Sequence, residues 1–570
     1  MTSSGVVPFD IGEIPFSVRG AWIDLSPVVG LHTRADAIHL VAHRNGVHGV
    51  LALRPHRGGS PVGTTWLADV ARLAWRAADG SEVTATFDGA SAVRLRGKGL
   101  GLSVVDAADE LTPFTGCYLF EDPVDGSAVF TSYESGCRYR ITLLAGSWTI
   151  EGAEALGVAQ RAVVLGADGG GWEAVVEEIT SAEPPYSSDR AFDEVVAANR
   201  AEFGSFLEAV APWRDERTPA AALAAYVLWS ATVEPSGFLT RESVLMSKHW
   251  MDKVWSWDHC FNALALAPGL PDLAVDQLLA PFDHQDATGA MPDSIAHSEV
   301  LHNFVKPPIH GWALSRLRAT SGRPLRHEEL VEIYDRLARW TDFWLHRRRR
   351  PGRELPYYQH GNDSGWDNST TFDLDRVIEA PDLAAFLVLQ LDVLGDLAAE
   401  LGEPAEPWEQ QRDRLLQSLL EELWTGETFI ALGAVSGRPS SATSLLNLLP
   451  LVLGERLPEP ARQAMVARLG DHLTEHGPAT EPVTSPLYEA DGYWRGPIWA
   501  PSTALIEDGL RRSGFPELAG AVSERFRRLC EASGFAENFD AATGAGLRDR
   551  AYTWTAAVYL MFAADAVRGR

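Results

Sequence analysis

The spacing of apolar residues changes once along this chain, and the change divides it into two halves. From about residue 20 to residue 181, short runs alternate apolar and polar residues or are rich in β-branched residues. The dipeptides Asn45-Gly46, Asp88-Gly89 and Asp125-Gly126 stand between such runs, where left-handed residues close a hairpin at little cost. The pattern predicts an antiparallel β-sandwich domain over residues 1–185.

The alternation stops before residue 190, and a helical period follows. Thr218-Pro219 precedes an apolar stretch as an N-cap and a first-turn proline do. Ala380-Pro381-Asp382 opens a second stretch, which ends at Gly402. We therefore predict a multidomain protein, in which residues 186–216 form a helical linker and residues 217–570 form an all-α domain.

Long loops separate the predicted helices, and five of these loops share one composition. Each combines tryptophan with carboxylate or amide side chains, and long ordered loops usually carry function. An indole offers an apolar face to the C–H groups of a sugar ring, while carboxylates and amides bind its hydroxyls. The alternative is that tryptophan fills the core and that the Asp-Gly and Asn-Asp pairs form turns. The five loops are residues 247–262, 284–312, 357–373, 489–501 and 534–554.

Two carboxyl groups in these loops suit the hydrolysis of a glycosidic bond. Such a reaction needs one protonated carboxyl for the leaving oxygen and one ionised carboxyl to activate water or attack carbon. Burial against an aromatic side chain raises the pKa of a proton donor. Asp367 directly follows Trp366 and is the candidate donor, whereas Asp363 is expected to hold the turn. Glu537, which lies between two phenylalanines, is the candidate second carboxylate.

Composition excludes several other classes of protein. The 49 basic and 77 acidic side chains give a net charge of −28, which repels nucleic acids and anionic membrane surfaces. The first residues lack a leader pattern, and no segment is apolar over the width of a bilayer, so we expect a cytoplasmic protein. The four cysteines lie far apart, and the histidines lack dependable ligand spacing, so we expect no metal or cofactor. A monomer and a homodimer both remain open.

Five motifs carry a resemblance to a known family. They are WSWDHCFN, KPPIHGWA, DSGWDNS, YWRGPIW and ENFDAATG, and they occur in this order over about 300 residues. Together they resemble the clan of inverting glycosidases that includes family 63 α-glucosidases, mannosylglycerate and glucosylglycerate hydrolases, and trehalases. The resemblance covers the chain from about residue 215 onward and implies an (α/α)6 barrel with its site at one mouth. The N-terminal half resembles only loosely the β domains that some members carry.

The resemblance also implies roles for individual residues. The aspartate of the SGxDN segment, Asp367, would be the general acid. The glutamate that precedes the aromatic-Asp segment, Glu537, would be the general base. Asp258 would hold hydroxyls of the sugar in the −1 subsite. The other substrate-binding candidates are Trp255, Trp257, Lys306, Gly365, Trp366, Tyr493, Trp494 and Arg495.

Lys306 departs from the family pattern, because several relatives have an amide before the two prolines. A lysine there is expected to bind a substrate carboxylate, such as that of glycerate, or a sugar hydroxyl. The sequence thus predicts an exo-acting inverting glycoside hydrolase that cleaves a small α-linked glucoside or mannoside. The alternatives are a sugar phosphorylase on the same barrel, an inactive carbohydrate-binding protein, and a polysaccharide lyase. Glu537 favours hydrolysis over phosphorolysis, and the net charge argues against the polyuronate substrates of lyases.

Overall fold

The computed structural model describes residues 7–108, 117–181 and 183–569. These residues form two compact units whose segments interleave along the chain. The β unit comprises the described residues up to Glu208 together with Ala225–Lys253 and Ala296–Ser298, and the helical unit comprises the remainder. The domain boundaries predicted after residues 185 and 216 stay predictions.

The β unit contains two antiparallel sheets, one of nine strands and one of seven. The predicted turns lie between neighbouring strands, since Gly46, Gly89 and Gly126 have φ values of 80°, 86° and 73°. Glycine adopts this left-handed conformation at little cost, and these dipeptides therefore close the hairpins. The larger sheet has the spatial order β1 (Pro8–Phe9), β6 (Thr65–Asp69), β7 (Arg72–Arg76), β8 (Glu82–Phe87), β9 (Ala92–Lys98), β16 (Trp172–Ile179), β13 (Arg138–Ala145), β12 (Ala128–Ser132) and β11 (Cys117–Glu121). The smaller sheet has the order β14 (Trp148–Glu151), β15 (Ala162–Leu165), β10 (Gly101–Asp106), β4 (His48–Arg57), β3 (Thr33–Ala42) and β2 (Ile23–Gly30), with β5 (Ser60–Pro61) paired to β4.

Helices dominate the rest of the chain. The helix predicted after Ala380 begins at Pro381 and ends at Leu401, and Gly402 closes it with a φ of 79°. The α-helices are α1 (Phe192–Val210), α2 (Ala221–Ala231), α3 (Asp258–Leu266), α4 (Pro271–Leu279), α5 (His310–Thr320), α6 (His327–Asp342), α7 (Gly361–Ser364), α8 (Pro381–Leu401), α9 (Glu406–Ser418), α10 (Glu459–His472), α11 (Ala500–Arg512), α12 (Pro516–Ser533) and α13 (Thr553–Arg568). Shorter 3-10 or π segments are Ala280–His284, Phe343–Arg347, Thr370–Phe372, Leu419–Leu423 and Leu445–Arg456.

Two-residue strands also form small ladders among the loops. They are β17 (Thr232–Val233), β18 (Ser243–Val244), β19 (Val254–Trp255), β20 (Ser294–Ile295), β21 (Val300–Leu301), β22 (Ile378–Glu379), β23 (Leu432–Gly433), β24 (Asn538–Phe539) and β25 (Gly546–Leu547). None of the helices in the described part of the chain is both long enough and apolar enough to cross a bilayer.

The helical unit is a closed ring of helices with a second layer outside it. Each inner element packs on the next in the order α3, α5, α8, the Leu445–Arg456 segment, α11 and α13, and α13 packs back on α3. The intervening helices α4, α6, α9, α10 and α12 pack outside this ring. An inner element is thus followed by an outer one that runs back, which is the arrangement of an (α/α)6 barrel. The predicted fold class, an antiparallel β domain followed by this barrel, is confirmed.

This alternation determines where the site lies. Because an outer helix returns the chain each time, the inner helices all run in one direction and their N-termini meet at one end of the ring. The loops that are rich in tryptophan and carboxylates lead into these N-termini. The positive ends of the helix dipoles therefore point toward the candidate site.

Candidate active site

Asp258 begins the inner helix α3 and is buried. The short strand β19 leads toward it and pairs with β20, which directly follows Asp293, so that Trp255 lies opposite Ser294. Burial raises the pKa of the Asp258 carboxyl to about 8, and the charge of Lys306 opposes this effect. Within the described residues, the Oδ2 atom of Asp258 is buried without a hydrogen-bond partner. A buried acceptor of this kind is available to a sugar hydroxyl.

A lysine lies among the acidic side chains. The Nζ atom of Lys306 is 2.8 Å from Oδ1 of Asp293 and donates a hydrogen bond of 2.9 Å to the carbonyl of Asn362. Burial acts to lower the pKa of Lys306, but Asp367, Asp293 and Asp258 outweigh it and raise that pKa. The lysine is therefore a buried ammonium ion held by carboxylates.

The loop that carries Asp367 turns sharply around Gly365. Its φ is 74°, and a Cβ atom there would come within 2.6 Å of the Trp257 indole, so the loop needs glycine both for its backbone and for space. Trp366 is buried and lies 4.7 Å from Trp494 between ring centroids. Burial raises the pKa of Asp367, and the charge of Lys306 acts against this. Asp367 thus has the environment of a proton donor.

Asp363, the other aspartate of this loop, holds the loop together, as the sequence predicts. Its Oδ1 atom accepts a hydrogen bond of 3.1 Å from the backbone of Val305. Its Oδ2 atom accepts bonds of 2.8 Å from the backbone of Gln359 and 2.7 Å from Arg348. Asp363 joins three segments of the chain, and its oxygens are engaged in holding the loop.

Asn368 connects the Asp367 loop to the loop over residues 489–501. Its amide donates to the carbonyl of Gly492 at 2.9 Å and accepts from the backbone N–H of Trp494 at 3.0 Å. The Nε of Arg495 donates to the carbonyl of Asn368 at 2.9 Å, and the same guanidinium pairs with Asp373. Arg495 is therefore directed at the loop itself, and its predicted contact with substrate stays a prediction.

Stacked indoles form the wall behind the candidate acid. Trp494 lies parallel to Trp499, with ring centroids 4.0 Å apart. Trp257 meets Trp494 at 6.1 Å and Trp554 edge-on at 5.6 Å. The sequence predicts one pocket for Trp257 and Trp494, and the structure brings these two rings together.

Glu537 is buried just before the two-residue strand β24, and its backbone N–H donates to the carbonyl of Asp549 at 2.7 Å. Burial and then the charge of Asp549 raise the pKa of Glu537 to about 8. A hydrogen bond from Tyr493 and the charge of Arg548 act in the opposite direction and favour the ionised form. Arg548 also lies over the Tyr493 ring, 4.9 Å from its centroid.

Two tyrosines interact with the separate carboxyls. Burial, followed by the charges of Glu537 and Asp367, raises the pKa of the Tyr493 phenol. Burial and the charge of Glu537 raise the pKa of Tyr552, and Asp258 adds to this effect. These interactions place Asp258, Asp367 and Glu537 around shared tyrosines.

The structure brings several of the predicted residues together, and their roles stay predictions; it also adds residues that sequence reasoning missed. Trp255 is half-buried beside this assembly. The missed residues are Asp293, Asn362, Arg548 and Tyr552. All four lie in loops that the sequence analysis selected, but loop composition alone does not distinguish them from their neighbours. In the described part of the chain, no cluster of three or more His, Cys, Asp or Glu side chains has the arrangement of a metal site.

An (α/α)6 ring whose loops gather paired carboxyls and stacked indoles at one end defines an enzyme of the glycoside hydrolase class. The chain belongs to a particular family within that class, described as the mannosylglycerate hydrolase MGH1-like glycoside hydrolase domain, whose family model matches residues 251–555.

Relatives of known activity are similar to the same part of the chain. A mannosylglycerate hydrolase of Rubrobacter radiotolerans is 29% identical over an alignment of 401 positions, and the alignment covers 54% of this chain and 89% of that protein. A glucosylglycerate hydrolase of Mycolicibacterium hassiacum is 25% identical over an alignment of 442 positions, and the alignment covers 60% of this chain and 97% of that protein. A large part of this chain therefore lies outside each match, although nearly all of each relative is covered.

Solved structures support the fold. The mannosylglycerate hydrolase of Thermus thermophilus in complex with Tris gives a TM-score of 0.52 at 22% identity and covers 60% of this chain and 99% of that chain. A bacterial glucoamylase complexed with acarbose gives a TM-score of 0.64 at 11% identity and covers 99% of this chain and 94% of that chain. The glucoamylase likeness extends over the β unit as well as the barrel.

Proposed function

We propose that this enzyme hydrolyses an α-linked glucoside or mannoside of glycerate, or of another small polar alcohol, with inversion at the anomeric carbon. The observation that carries the proposal is that Tyr493 interacts with both the half-buried carboxyl of Asp367 and the buried carboxyl of Glu537. The substrate class follows the names of the relatives, which are hydrolases of mannosylglycerate and glucosylglycerate. A small carbohydrate is thus the proposed partner of the site.

The environments of the two carboxyls support different roles for them. Burial raises the pKa of Asp367, and the negative charge of Asp293 acts in the same direction, so both favour its protonated form. Burial also raises the pKa of Glu537, to about 8, but a hydrogen bond from Tyr493 and the charge of Arg548 favour its ionised form. We therefore assign proton donation to Asp367 and activation of water to Glu537.

The proposed reaction is a single displacement. Asp367 gives its proton to the glycosidic oxygen while Glu537 takes a proton from a water molecule on the opposite face of the sugar. Carboxyls in inverting enzymes are about 6.5–9.5 Å apart, which leaves room for that water. The free Oδ2 atom of Asp258 would bind a hydroxyl of the same sugar, and the stacked indoles would exclude solvent around it.

Glycosyl fluorides test this assignment, because fluoride departs without receiving a proton. We expect Asp367→Asn to lower kcat on a glycerate glycoside by about 10²- to 10⁴-fold and to retain most activity on the α-glycosyl fluoride. Glu537→Gln should lower kcat on both substrates by a similar factor, because both reactions need an activated water. Comparing α-glucosyl and α-mannosyl fluoride also identifies the sugar, and NMR of the fresh product should show the β-anomer.

Matched controls are available on the surface of the helical unit. Asp335→Asn and Glu475→Gln make the same chemical changes at exposed positions and should leave kcat unchanged. Full activity of Asp367→Asn on the glycerate glycoside, or an α-anomer as first product, contradicts the proposal. Turnover that requires added phosphate would indicate a phosphorylase instead.

A further inference from the structure

The contacts of Lys306 differ from those expected of a residue that binds the substrate. Its side chain is 7% exposed. Its ammonium group makes an ion pair of 2.8 Å with Asp293 and donates a hydrogen bond of 2.9 Å to the carbonyl of Asn362. The charge of the ammonium is thus paired with Asp293 and one of its hydrogens is donated to the backbone, so the head group is engaged with the protein itself.

We propose that Lys306 is a positioning residue that holds the Asp367 loop and sets the charge around the general acid, and that it does not bind the aglycone. The proposal rests on the function proposed above, in which Asp367 is the proton donor. The prediction from sequence that Lys306 binds a substrate carboxylate or hydroxyl is the alternative that the experiment must separate from it.

Lys306 is bonded to the loop that carries Asp367. Asn362 belongs to the one-turn helix α7, and Gly365 ends that helix with a left-handed turn. Asp367 follows only two residues later. The bond from Lys306 to the Asn362 carbonyl therefore holds the helix from which the acid is presented. Val305, the preceding residue, donates from its backbone to Asp363 in the same helix, so neighbouring residues secure the loop twice.

Lys306 interacts with three carboxyl groups, those of Asp367, Asp293 and Asp258. If all three ionised, one lysine would leave a net charge of −2 among largely buried side chains, which is costly. Asp367 also faces His360 and the phenol of Tyr493. Of these neighbours, Lys306 most strongly lowers the pKa of Asp367, and Asp293 acts in the opposite direction.

Two substitutions should therefore move the pH profile in opposite directions. Lys306→Gln removes the positive charge, so the pKa of Asp367 rises and the alkaline limb of kcat/KM shifts to higher pH. Asp293→Asn removes a negative charge, so that pKa falls and the alkaline limb shifts to lower pH. Each variant should lose about 10- to 100-fold in kcat at the optimum, because a charge-assisted contact that orients the loop is lost.

The experiment measures kcat and KM from pH 4 to pH 10 for both variants, on a glycerate glycoside and on a glycoside of glycerol, which has no carboxylate. The ratio of KM values for the two substrates should equal that of the unmodified enzyme. Lys98→Gln makes the same change at an exposed lysine of the β unit and should alter neither profile nor KM.

Three outcomes overturn the proposal. A selective rise in KM for the glycerate substrate in Lys306→Gln, with the profile unmoved, would assign the lysine to the aglycone. Profiles that shift in the same direction in both variants would indicate a structural role only. If Lys306→Gln does not fold, an unmoved profile in Asp293→Asn alone contradicts the inference. Failure of the proposed function is distinguished by the Asp367→Asn variant, which would then stay active.

Discussion

Tyr493 and Arg548 are held in a conformation that few residues adopt. Their φ values are 63° and 60°, and among the described residues His32 is the one other non-glycine residue with positive φ. Such backbone conformations cost about 1–3 kcal/mol each and persist where surrounding contacts over-determine them. Here Trp499 donates from its indole to the Tyr493 carbonyl at 2.8 Å, and Arg548 packs over the Tyr493 ring. The unusual backbone conformation of Tyr493 therefore directs its phenol toward Glu537.

The hydrogen bond from Tyr493 should control the pH at which Glu537 becomes active as a base. Tyr493→Phe keeps the ring under Arg548 but removes the hydroxyl, so the pKa of Glu537 rises further above its usual range. A base must be ionised, and a higher pKa keeps it protonated to higher pH. The acidic limb of kcat/KM should thus shift to higher pH, and kcat at pH 6 should fall about tenfold or more.

The matched control for this prediction is Tyr133→Phe, which removes a hydroxyl from an exposed tyrosine of the β unit. It should leave the pH profile unchanged. A shift of the alkaline limb in Tyr493→Phe, with the acidic limb fixed, would indicate that the phenol acts on Asp367 instead.

At the scale of elements, the loop around Gly365 combines backbone strain with a lack of space. Gly365→Ala places a Cβ atom 2.6 Å from the Trp257 indole at a φ of 74°. Gly402 ends α8 at a similar φ of 79°, and a Cβ atom there meets nothing within 4 Å. The two glycines separate the cost of conformation from the cost of the clash.

We expect Gly402→Ala to lower the free energy of unfolding by about 1 kcal/mol, the usual cost of a left-handed alanine. Gly365→Ala should cost about 1–3 kcal/mol more because the indole must move. It should also reduce kcat, since Asp367 follows the displaced turn. The free energy of unfolding in urea and kcat are measured for both variants. Equal destabilisation by the two substitutions would show that the Trp257 indole moves at little cost.

Elements whose signals are local could be predicted from sequence, whereas contacts between distant loops could not. The Asn-Gly and Asp-Gly turns and the start of α8 at Pro381 depend on neighbouring residues, and the structure confirms them. The pairing of Lys306 with Asp293 crosses between separate stretches of one long loop, and no spacing rule brings them together. The motif around Arg495 predicts a subsite residue but does not reveal the bond to Asp373.

At the scale of the whole molecule, the β unit contains a buried ionic cluster. His43 lies 2.8 Å from Asp24 and 3.2 Å from Asp252, and all three side chains are buried. Lys248 is also buried and donates hydrogen bonds to Ser17 at 2.9 Å and to the carbonyl of Ala21 at 2.6 Å. The cluster joins the first strands of the unit to its Ala225–Lys253 segment.

The two cations of this cluster respond to pH in opposite ways. Burial acts to lower the pKa of His43, but the hydrogen bonds with Asp24 and Asp252 raise it to about 9. The stability that His43 contributes is therefore present below its usual pKa and lost as pH rises toward 9. Burial lowers the pKa of Lys248 to about 7, with Asp24 opposing. Its unfolded form binds the proton more tightly, so its penalty disappears as pH rises from 7 to its ordinary value of 10.5.

Between pH 7 and pH 9 the two effects should cancel, because one proton is bound more tightly by the folded state and one by the unfolded state. Each uncompensated proton changes the free energy of unfolding by about 1.4 kcal/mol per pH unit. Lys248→Met leaves the His43 contribution alone, so stability should fall as pH rises across this window. His43→Gln leaves the Lys248 contribution alone, so stability should rise with pH. The unmodified protein should show little slope.

Hydrogen exchange of peptides from β2 and β3, measured in increasing urea at pH 7, 8 and 9, reports unfolding of the β unit separately from the barrel. Lys248→Met also loses two hydrogen bonds and should be less stable at every pH. The test therefore depends on how the free energy of unfolding changes with pH and not on its absolute value. Slopes of the same sign in the two variants would contradict one of the two pKa shifts. Opposite slopes would show that the proton retained by His43 on folding offsets the proton lost by Lys248, which keeps the stability of the β unit nearly constant where the barrel is expected to work.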